Sequence, residues 1–125
     1  SNLLKVKLPF EPSVPSQEAA LAALDDSSFV EDSLILNKTE KDSLYSFFEK
    51  NQVKYIKSGT NFVTIIHENE HYNGVFCSNL LSHGIIVRNL VSFGLPNCTR
   101  VTVGNKQENE NFKSACLKVI EGSVA

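Results

Sequence analysis

The stretch that decides the fold is GIIVRNLVSFGLPNCTRVTVGNKQENENFKSAC, residues 84–116. Residues 84–87 (GIIV) and 99–103 (TRVTV) are rich in β-branched side chains, which predicts two strands. Residues 92–97 between them contain a glycine and a proline and are predicted to form a loop. This hairpin-like spacing favours antiparallel pairing of the two strands.

A helix is predicted to follow these strands. Asn105 can cap its first turn, and Glu108 stands at the capping-box position three residues later. The helix is expected to run to about Ile120, with Gly122 just past its end.

Two helices are predicted before this stretch. The first, residues 17–26 (QEAALAALDD), is rich in alanine and leucine and can be capped by Ser16. The second can be capped by Ser27 or Ser28 and extends to about Asn51, with apolar residues mostly at three- and four-residue spacings.

The middle of the chain alternates between strand and helix signals. Residues 53–56 and 61–66 (NFVTII) are predicted strands, separated by a turn at Ser58-Gly59. Residues 68–73 are predicted to be a polar loop, and residues 75–82 a short helix.

Four short strands with interspersed helices predict a two-layer α/β (α+β) sandwich, in which helices pack on a small, mostly antiparallel sheet. Pro9, Pro12 and Pro15 predict an extended lead-in over residues 1–15. The folded domain is expected to cover residues 16–125.

The composition indicates one ordinary globular domain. The 125 residues are 42% apolar and 21% charged, with a net charge of −2. Because a nucleic-acid or anionic-membrane surface needs a clear basic excess, neither partner is expected. No apolar run approaches the roughly 18 residues of a membrane span.

The chain contains three cysteines, Cys77, Cys98 and Cys116. Their odd number and wide spacing indicate neither a disulfide framework nor a CxxC metal site. We expect free thiols and therefore a reducing, cytoplasmic location.

Residues 67–71 (HENEH) match the H-E-x-x-H zinc motif. That motif requires both histidines on one helical face, with the glutamate polarising a zinc-bound water. Here it follows a predicted strand directly, so a loop between strand and helix is favoured and no metal site is expected.

Other catalytic motifs are missing from the sequence. It contains no G-x-S-x-G, no G-x-G-x-x-G and no G-x-x-x-x-G-K. No catalytic constellation is expected within the chain.

Arginine is scarce, since only Arg88 and Arg100 occur among 12 basic residues. Guanidinium groups bind carboxylate or phosphate oxygens in a planar, bidentate manner that lysine cannot reproduce. If their two strands are neighbours, both arginines can reach one cleft and bind an anionic ligand. The alternative is that each arginine pairs with a local acid or caps a helix.

The start of the chain predicts a piece of a longer protein. Methionine is absent throughout, and Ser1-Asn2 is expected to be left from cloning.

The stretch that decides the fold also resembles the C-terminal segment of histidinol-phosphate aminotransferases, which show G-I-x-V-R, G-L-P, R-I-T-V-G and E-E-N-x-x-F in this order. The matching residues are Gly84, Ile85, Val87, Arg88, Gly94, Leu95, Pro96, Arg100, Thr102, Val103, Gly104, Glu108, Asn109 and Phe112. Residues 59–63 (GTNFV) resemble the family's A-N-F-V. Residues 5–26 resemble its interdomain link, although Glu11-Pro12 replaces the usual Asn-Val.

The resemblance implies the small C-terminal domain of a pyridoxal-phosphate enzyme with the aspartate-aminotransferase fold. The large domain, which carries the Schiff-base lysine and holds the cofactor, would be absent; Lys5 and Lys7 follow the position of that lysine. No catalytic residue and no bound cofactor are therefore expected in this chain, which alone would be inactive.

The resemblance also assigns ligand-binding roles. Arg100 matches the arginine that grips the substrate carboxylate, or the phosphate in histidinol-phosphate enzymes, and Arg88 matches a second arginine at the phosphate end. The intact enzyme would be a homodimer in histidine biosynthesis that exchanges an amino group between histidinol phosphate and 2-oxoglutarate. Its small domain would swing to close the site over the substrate.

Other functions stay open at this point. Aromatic amino-acid aminotransferases and threonine-phosphate decarboxylases share the same small-domain pattern. A free-standing α/β ligand-binding module without catalysis is the alternative from another class.

Overall fold

The structure, a computed structural model, describes Lys5 and residues 11–122. Most of the predicted lead-in, together with Ser1-Asn2, lies outside the described residues. The helices and strands in chain order are α1 (Val14–Asp25), α2 (Ser27–Lys50), β1 (Tyr55–Ile56), β2 (Phe62–Ile66), α3 (Glu70–Ser82), β3 (Arg88–Asn89), a 3-10 turn (Val91–Phe93), β4 (Cys98–Thr102) and α4 (Lys106–Gly122).

The chain divides into two compact units, Ser1–Ser33 and Leu34–Ala125. In the described part of the first unit, α1 and the first residues of α2 leave their apolar side chains exposed, including Leu24 (80%) and Phe29 (68%). The apolar residues at three- and four-residue spacings in the first part of α2 therefore do not form a buried face within the described residues.

The first helix begins earlier than predicted, at Val14. Its cap is Ser13, whose hydroxyl oxygen accepts from the N–H of Ser16, so Ser16 lies in the first turn and is not the cap. Pro15 is helical rather than extended, because the first helical N–H groups need no partner within the helix.

The cap of α2 is Asp26 rather than Ser27 or Ser28. Its carboxylate accepts from the backbone N–H of Phe29 at 3.0 Å and from the hydroxyl of Ser28 at 2.8 Å. These hydrogen bonds, that from Phe29 foremost, hold the pKa of Asp26 below its ordinary value.

The second unit is the predicted two-layer sandwich. Its sheet has the strand order β1-β2-β4-β3, and every neighbouring pair is antiparallel. Side chains alternate between the two faces, so that Val63, Ile65 and Val101 are buried while Thr64 and Arg100 are only half-buried on the opposite face. The core cluster comprises Leu44, Phe48, Val63, Ile65, Phe76, Leu80, Val101, Phe112, Ala115, Cys116 and Val119.

The third strand lies later than predicted, at Arg88–Asn89 instead of residues 84–87. The N–H of Ile85 donates to the carbonyl of Leu80 and closes the end of α3. Ile85 and Val87 pack against the core from this irregular segment. Ile86 between them is 86% exposed, so only Ile85 and Val87 of this apolar run pack against the core, and they do so without strand pairing.

The ends of the last two helices are set by side-chain caps. Asn69 caps α3 by accepting from the N–H of Tyr72, so the predicted polar loop is partly helical. The capping box of α4 is confirmed: Asn105 Oδ1 accepts from the N–H of Glu108 at 3.0 Å, and Glu108 Oε2 accepts from the N–H of Asn105 at 2.8 Å. The helix ends at Gly122, slightly later than predicted. Within the described residues, no helix has both the length and the apolarity to cross a membrane.

Candidate functional site

The two arginines of the chain lie directly opposite each other. Arg88 is the first residue of β3, Arg100 is the middle residue of β4, and the antiparallel register pairs them. Directly opposed residues project from the same face of a sheet, with Cβ atoms about 5 Å apart. The structure therefore brings together the two residues that the sequence singled out.

Both side chains line an open hollow of about 480 Å³. Its other polar lining residues are Asn89, Ser92 and Thr102. The hollow thus combines two cations with neutral hydrogen-bonding groups and has no carboxylate in its lining, which suits an anionic ligand.

Each guanidinium lies over an aromatic ring. Arg88 Cζ lies 5.1 Å from the ring centroid of Phe93, and Arg100 Cζ lies 5.2 Å from that of Phe62. These distances are typical of cation–π pairs.

The donors of both arginines remain unused within the described part of the chain. Neither side chain has an ion pair or hydrogen bond there, and the Nε atom of Arg100 is buried without a partner. The alternative of a local ion pair or helix cap does not hold for these residues. A buried N–H without an acceptor costs about 1–3 kcal/mol, which an anion in the hollow can recover.

The register itself adds to this cost. Like charges placed directly opposite each other in a sheet destabilise it, since their side chains are cross-strand neighbours. An anion between the two guanidiniums would offset this repulsion.

A buried polar network supports the strand that carries Arg88. The amide of Asn73, on α3 and fully buried, donates to the carbonyls of Pro96 (2.7 Å) and Cys98 (3.0 Å) and to Oδ1 of Asn89 (3.2 Å). Asn89 Oδ1 also accepts from the N–H of Val91 at 2.9 Å, which starts the 3-10 turn. Asn73 therefore fixes β3, β4 and the segment that joins them.

The sequence pattern does not point to Asn73 or Asn89. Residues 68–73 are predicted to be a loop, and the local signal at Asn73 is a polar residue that shares a helical face with Phe76 and Leu80. Its partners lie in segments far along the chain, so the pattern around it could not name them.

The same network reaches His67. The hydroxyl of Thr99 donates to Asn73 Oδ1 at 2.6 Å, so it can only accept from His67 Nε2, 3.0 Å away. His67 therefore carries its hydrogen on Nε2 when neutral. Burial of the ring lowers the pKa of His67 from its ordinary value.

The H-E-x-x-H match does not have the geometry of a zinc motif. His67 follows β2, whereas His71 lies in the first turn of α3. The two histidines therefore do not share a helix. Across the residues described, no three potential ligands cluster in a way that could hold a metal.

All three cysteines are free, and Cys98 and Cys116 are buried. Burial raises the pKa of the Cys116 thiol to about 12. Cys77 is half-buried, with its sulfur 3.4 Å from the hydroxyl oxygen of Thr99. The thiols behave as small packing groups.

Comparison with known proteins assigns the family. The model of the family described as aminotransferase class I and II matches residues 1–115. The chain belongs to this family. The aminotransferase resemblance of the sequence is thereby confirmed.

Aminotransferase-family relatives match nearly the whole chain. Histidinol-phosphate aminotransferase of Campylobacter jejuni subsp. jejuni serotype O:2 is 37% identical over 120 residues, which cover 96% of this chain and 32% of the relative. Histidinol-phosphate aminotransferase of Geobacillus sp. (strain WCH70) is 39% identical over 113 residues, which cover 90% of this chain and 30% of the relative. The chain spans about a third of the length of these relatives.

Solved structures share the fold of this aminotransferase-family chain. A Burkholderia pseudomallei protein assigned as an aminotransferase superposes with a TM-score of 0.83 at 20% identity, over 98% of this chain and 36% of that one. Histidinol-phosphate aminotransferase from Sinorhizobium meliloti, solved in complex with pyridoxal-5'-phosphate, gives a TM-score of 0.77 at 24% identity, over 86% and 29%. At these identities the likeness concerns the fold.

Proposed function

We propose that this chain is the C-terminal small domain of a pyridoxal-phosphate-dependent aminotransferase, with residues 16–125 as the domain, and that Arg88 and Arg100 bind the anionic end of the substrate. The observation that carries the proposal is the opposed pair of guanidiniums, whose donors have no protein partner in the described chain. Its place in a longer enzyme is supported by the share of the relatives that it covers.

The chemistry of the arginines fits an oxyanion with several acceptors. A guanidinium offers parallel N–H groups that match two oxygens of a carboxylate or phosphate. Two such groups on adjacent strands can hold a phosphate from two sides. A substrate held at this end has its reacting carbon fixed relative to the catalytic groups, which lowers the entropy cost of reaction.

The hollow does not fit the cofactor itself. Its polar lining is two guanidiniums with Asn89, Ser92 and Thr102, and it offers neither an amine for a Schiff base nor an acid for a pyridine nitrogen. Pyridoxal phosphate supplies the electron sink for amino-group transfer in enzymes of this kind. The residues of this chain would bind and orient the substrate.

We propose histidinol phosphate as the amino donor and 2-oxoglutarate as the acceptor, in a cytoplasmic homodimer. The choice of histidinol phosphate is supported by the relatives that match this chain, which are histidinol-phosphate aminotransferases. The presence of two arginines at one hollow is consistent with a phosphate group, which has more acceptor oxygens than a carboxylate.

The test is a kinetic assay of the full-length protein that contains this chain. Arg100→Lys is expected to raise KM for histidinol phosphate roughly 10- to 100-fold, since charge-assisted hydrogen bonds contribute about 1.5–3 kcal/mol. Arg88→Ala is expected to reduce the preference for histidinol phosphate over histidinol by a similar factor.

Lys118→Ala, an exposed cation on α4, is the control and should leave KM unchanged. Failure of the wild-type protein to transfer an amino group from histidinol phosphate would contradict the proposed activity. Normal KM values in both arginine variants would contradict the assigned binding roles.

A further inference from the structure

The two phenylalanines beneath the arginines are held by backbone features that place them there. Phe93 lies in the 3-10 turn, where its N–H donates to the carbonyl of Leu90 at 2.9 Å. Gly94 follows with φ of 77°, a left-handed conformation that glycine adopts without strain. The turn leaves Phe93 58% exposed, so its ring contributes little to the core.

Phe62 reaches Arg100 by a different route. It is the first residue of β2 and lies opposite Thr102 on β4. Since Thr102 and Arg100 are two residues apart on one strand, Phe62 shares their face and is the diagonal neighbour of Arg100. The two rings thus come from separate segments of the chain, and each contacts a different arginine.

A ring and a carboxylate hold a guanidinium in different ways. A carboxylate accepts from the N–H donors of the group, whereas an aromatic ring attracts the cation through its π face and has no oxygen to occupy those donors. A guanidinium lying against a ring also loses rotational freedom before any ligand arrives. The rings therefore fix both cations without consuming the groups that bind an anion.

We propose that Phe62 and Phe93 are positioning residues, which hold the Arg100 and Arg88 guanidiniums with their donors free for an anion in the hollow. This inference rests on the proposed function of the two arginines. In this role Phe62 and Phe93 increase the affinity of the hollow for an anion, in addition to any contribution that they make to packing.

The experiment uses the fact that the chain contains two arginines. Its ¹H–¹⁵N NMR spectrum has one Nε–H signal for each, and inorganic phosphate is titrated into the 125-residue chain while both are followed. In the wild-type chain both signals are expected to move with phosphate. In a chain carrying both Arg88→Lys and Arg100→Lys, backbone signals around the hollow should no longer respond.

Phe93→Leu is expected to shift the Arg88 Nε–H signal before any phosphate is added, because the ring current is lost. It should also raise the phosphate dissociation constant about 2- to 5-fold, as the strength of exposed cation–π pairs implies. Phe62→Leu should do the same through Arg100. Phe93→Tyr keeps the ring and should restore wild-type affinity.

Tyr72→Leu is the matched control, since Tyr72 is 50% exposed and stacks on neither arginine. In this variant the Nε–H signals of both arginines and the phosphate dissociation constant should equal those of the wild type. Because Phe93 is exposed, its variant tests the proposal even if Phe62→Leu fails to fold.

The outcomes separate the two levels of inference. If phosphate moves no arginine signal in the wild-type chain, the anion site is contradicted, and the role of the rings with it. If phosphate binds through the arginines but both leucine variants bind it as tightly as the wild type, only the positioning role is contradicted.

Discussion

The side-chain amide of Asn109 donates a 2.9 Å hydrogen bond to Oε2 of Glu40, a carboxylate that is only 6% exposed. The same amide donates to the carbonyl of Gly104, and its oxygen accepts from the N–H of Gly104. One buried side chain therefore joins the start of α4 to α2 and to the segment after β4.

Replacement of this amide should weaken the second unit substantially. Asn109→Ala leaves the Glu40 carboxylate and both polar groups of Gly104 short of a partner, so the free energy of unfolding should fall by about 2–3 kcal/mol. Urea denaturation measures the change. Asn111→Ala, at an exposed position on the same helix, should cost no more than about 0.5 kcal/mol; equal losses in the two variants would contradict the importance of the Glu40 contact.

Replacement of Asn73 should destabilise the fold at least as much as replacement of Asn109. A charged substitution at this position tests whether the amide is the hydrogen-bond donor. Asn73→Ala removes an amide whose two N–H groups face three acceptors, and should lower the free energy of unfolding by about 2–3 kcal/mol. Asn73→Asp should cost more, because it places a carboxylate against the carbonyls of Pro96 and Cys98. Thermal or urea unfolding of the alanine and aspartate variants measures whether aspartate costs more than alanine. Asn79→Ala, at an exposed position on the same helix, is the control. An aspartate variant as stable as the wild type would show that the amide does not donate to these carbonyls.

His67 should make stability depend on pH in one direction. Its pKa is lowered in the folded state, so the unfolded chain takes up the proton first as pH falls. The contribution of His67 is therefore complete above about pH 6.5 and is lost progressively as pH falls towards the folded pKa. Urea unfolding between about pH 5 and pH 8 measures this slope.

Two variants isolate the histidine responsible for that slope. His67→Gln should flatten the profile in this window, since glutamine does not titrate. His71→Gln alters an exposed histidine and should keep the wild-type slope. The reverse pattern would show that the pH dependence does not come from the buried ring.

Two glycine substitutions should have opposite effects. At Gly74, on the exposed side of α3, an added Cβ meets nothing within 4 Å, so Gly74→Ala should stabilise the fold by about 0.5–1 kcal/mol. At Gly104 the Cβ would lie 2.9 Å from the Cβ of Glu108 and 2.6 Å from its Oε2. Gly104→Ala should displace Glu108 from the capping box and cost about 1–2 kcal/mol. Calorimetry of the two variants compares them directly, and a shift of the same sign in both would contradict this account.

The parts of the structure that sequence reasoning captured are those with local causes. The capping box of α4 and the buried face of β2 depend on residues within a few positions of one another. The scarcity of arginine singled out Arg88 and Arg100 before their pairing was known, because bidentate anion binding is work that lysine does poorly.

The parts that it missed have distant causes. The apolar residues of 84–87 could not reveal whether Ile85 and Val87 reach the core from a strand or from an irregular segment, since both arrangements can bury these two side chains and expose Ile86 between them. The partners of Asn73 and the rings beneath the arginines come from other segments of the chain. Their contacts depend on register and turn geometry, which no local spacing encodes.

The strand order has a consequence for how the chain acquires its structure. β4 is the last strand in sequence, yet it lies between β2 and β3 and makes the most extensive pairing of the sheet. A nascent chain that ends before Cys98 can form the β1-β2 hairpin, but that hairpin has an open edge and β3 has no neighbour. Completion of the sheet therefore requires the pairing of β4 with β2, two strands that are far apart in the sequence. Until that pairing forms, the exposed edge of β2 is a point at which chains can associate wrongly.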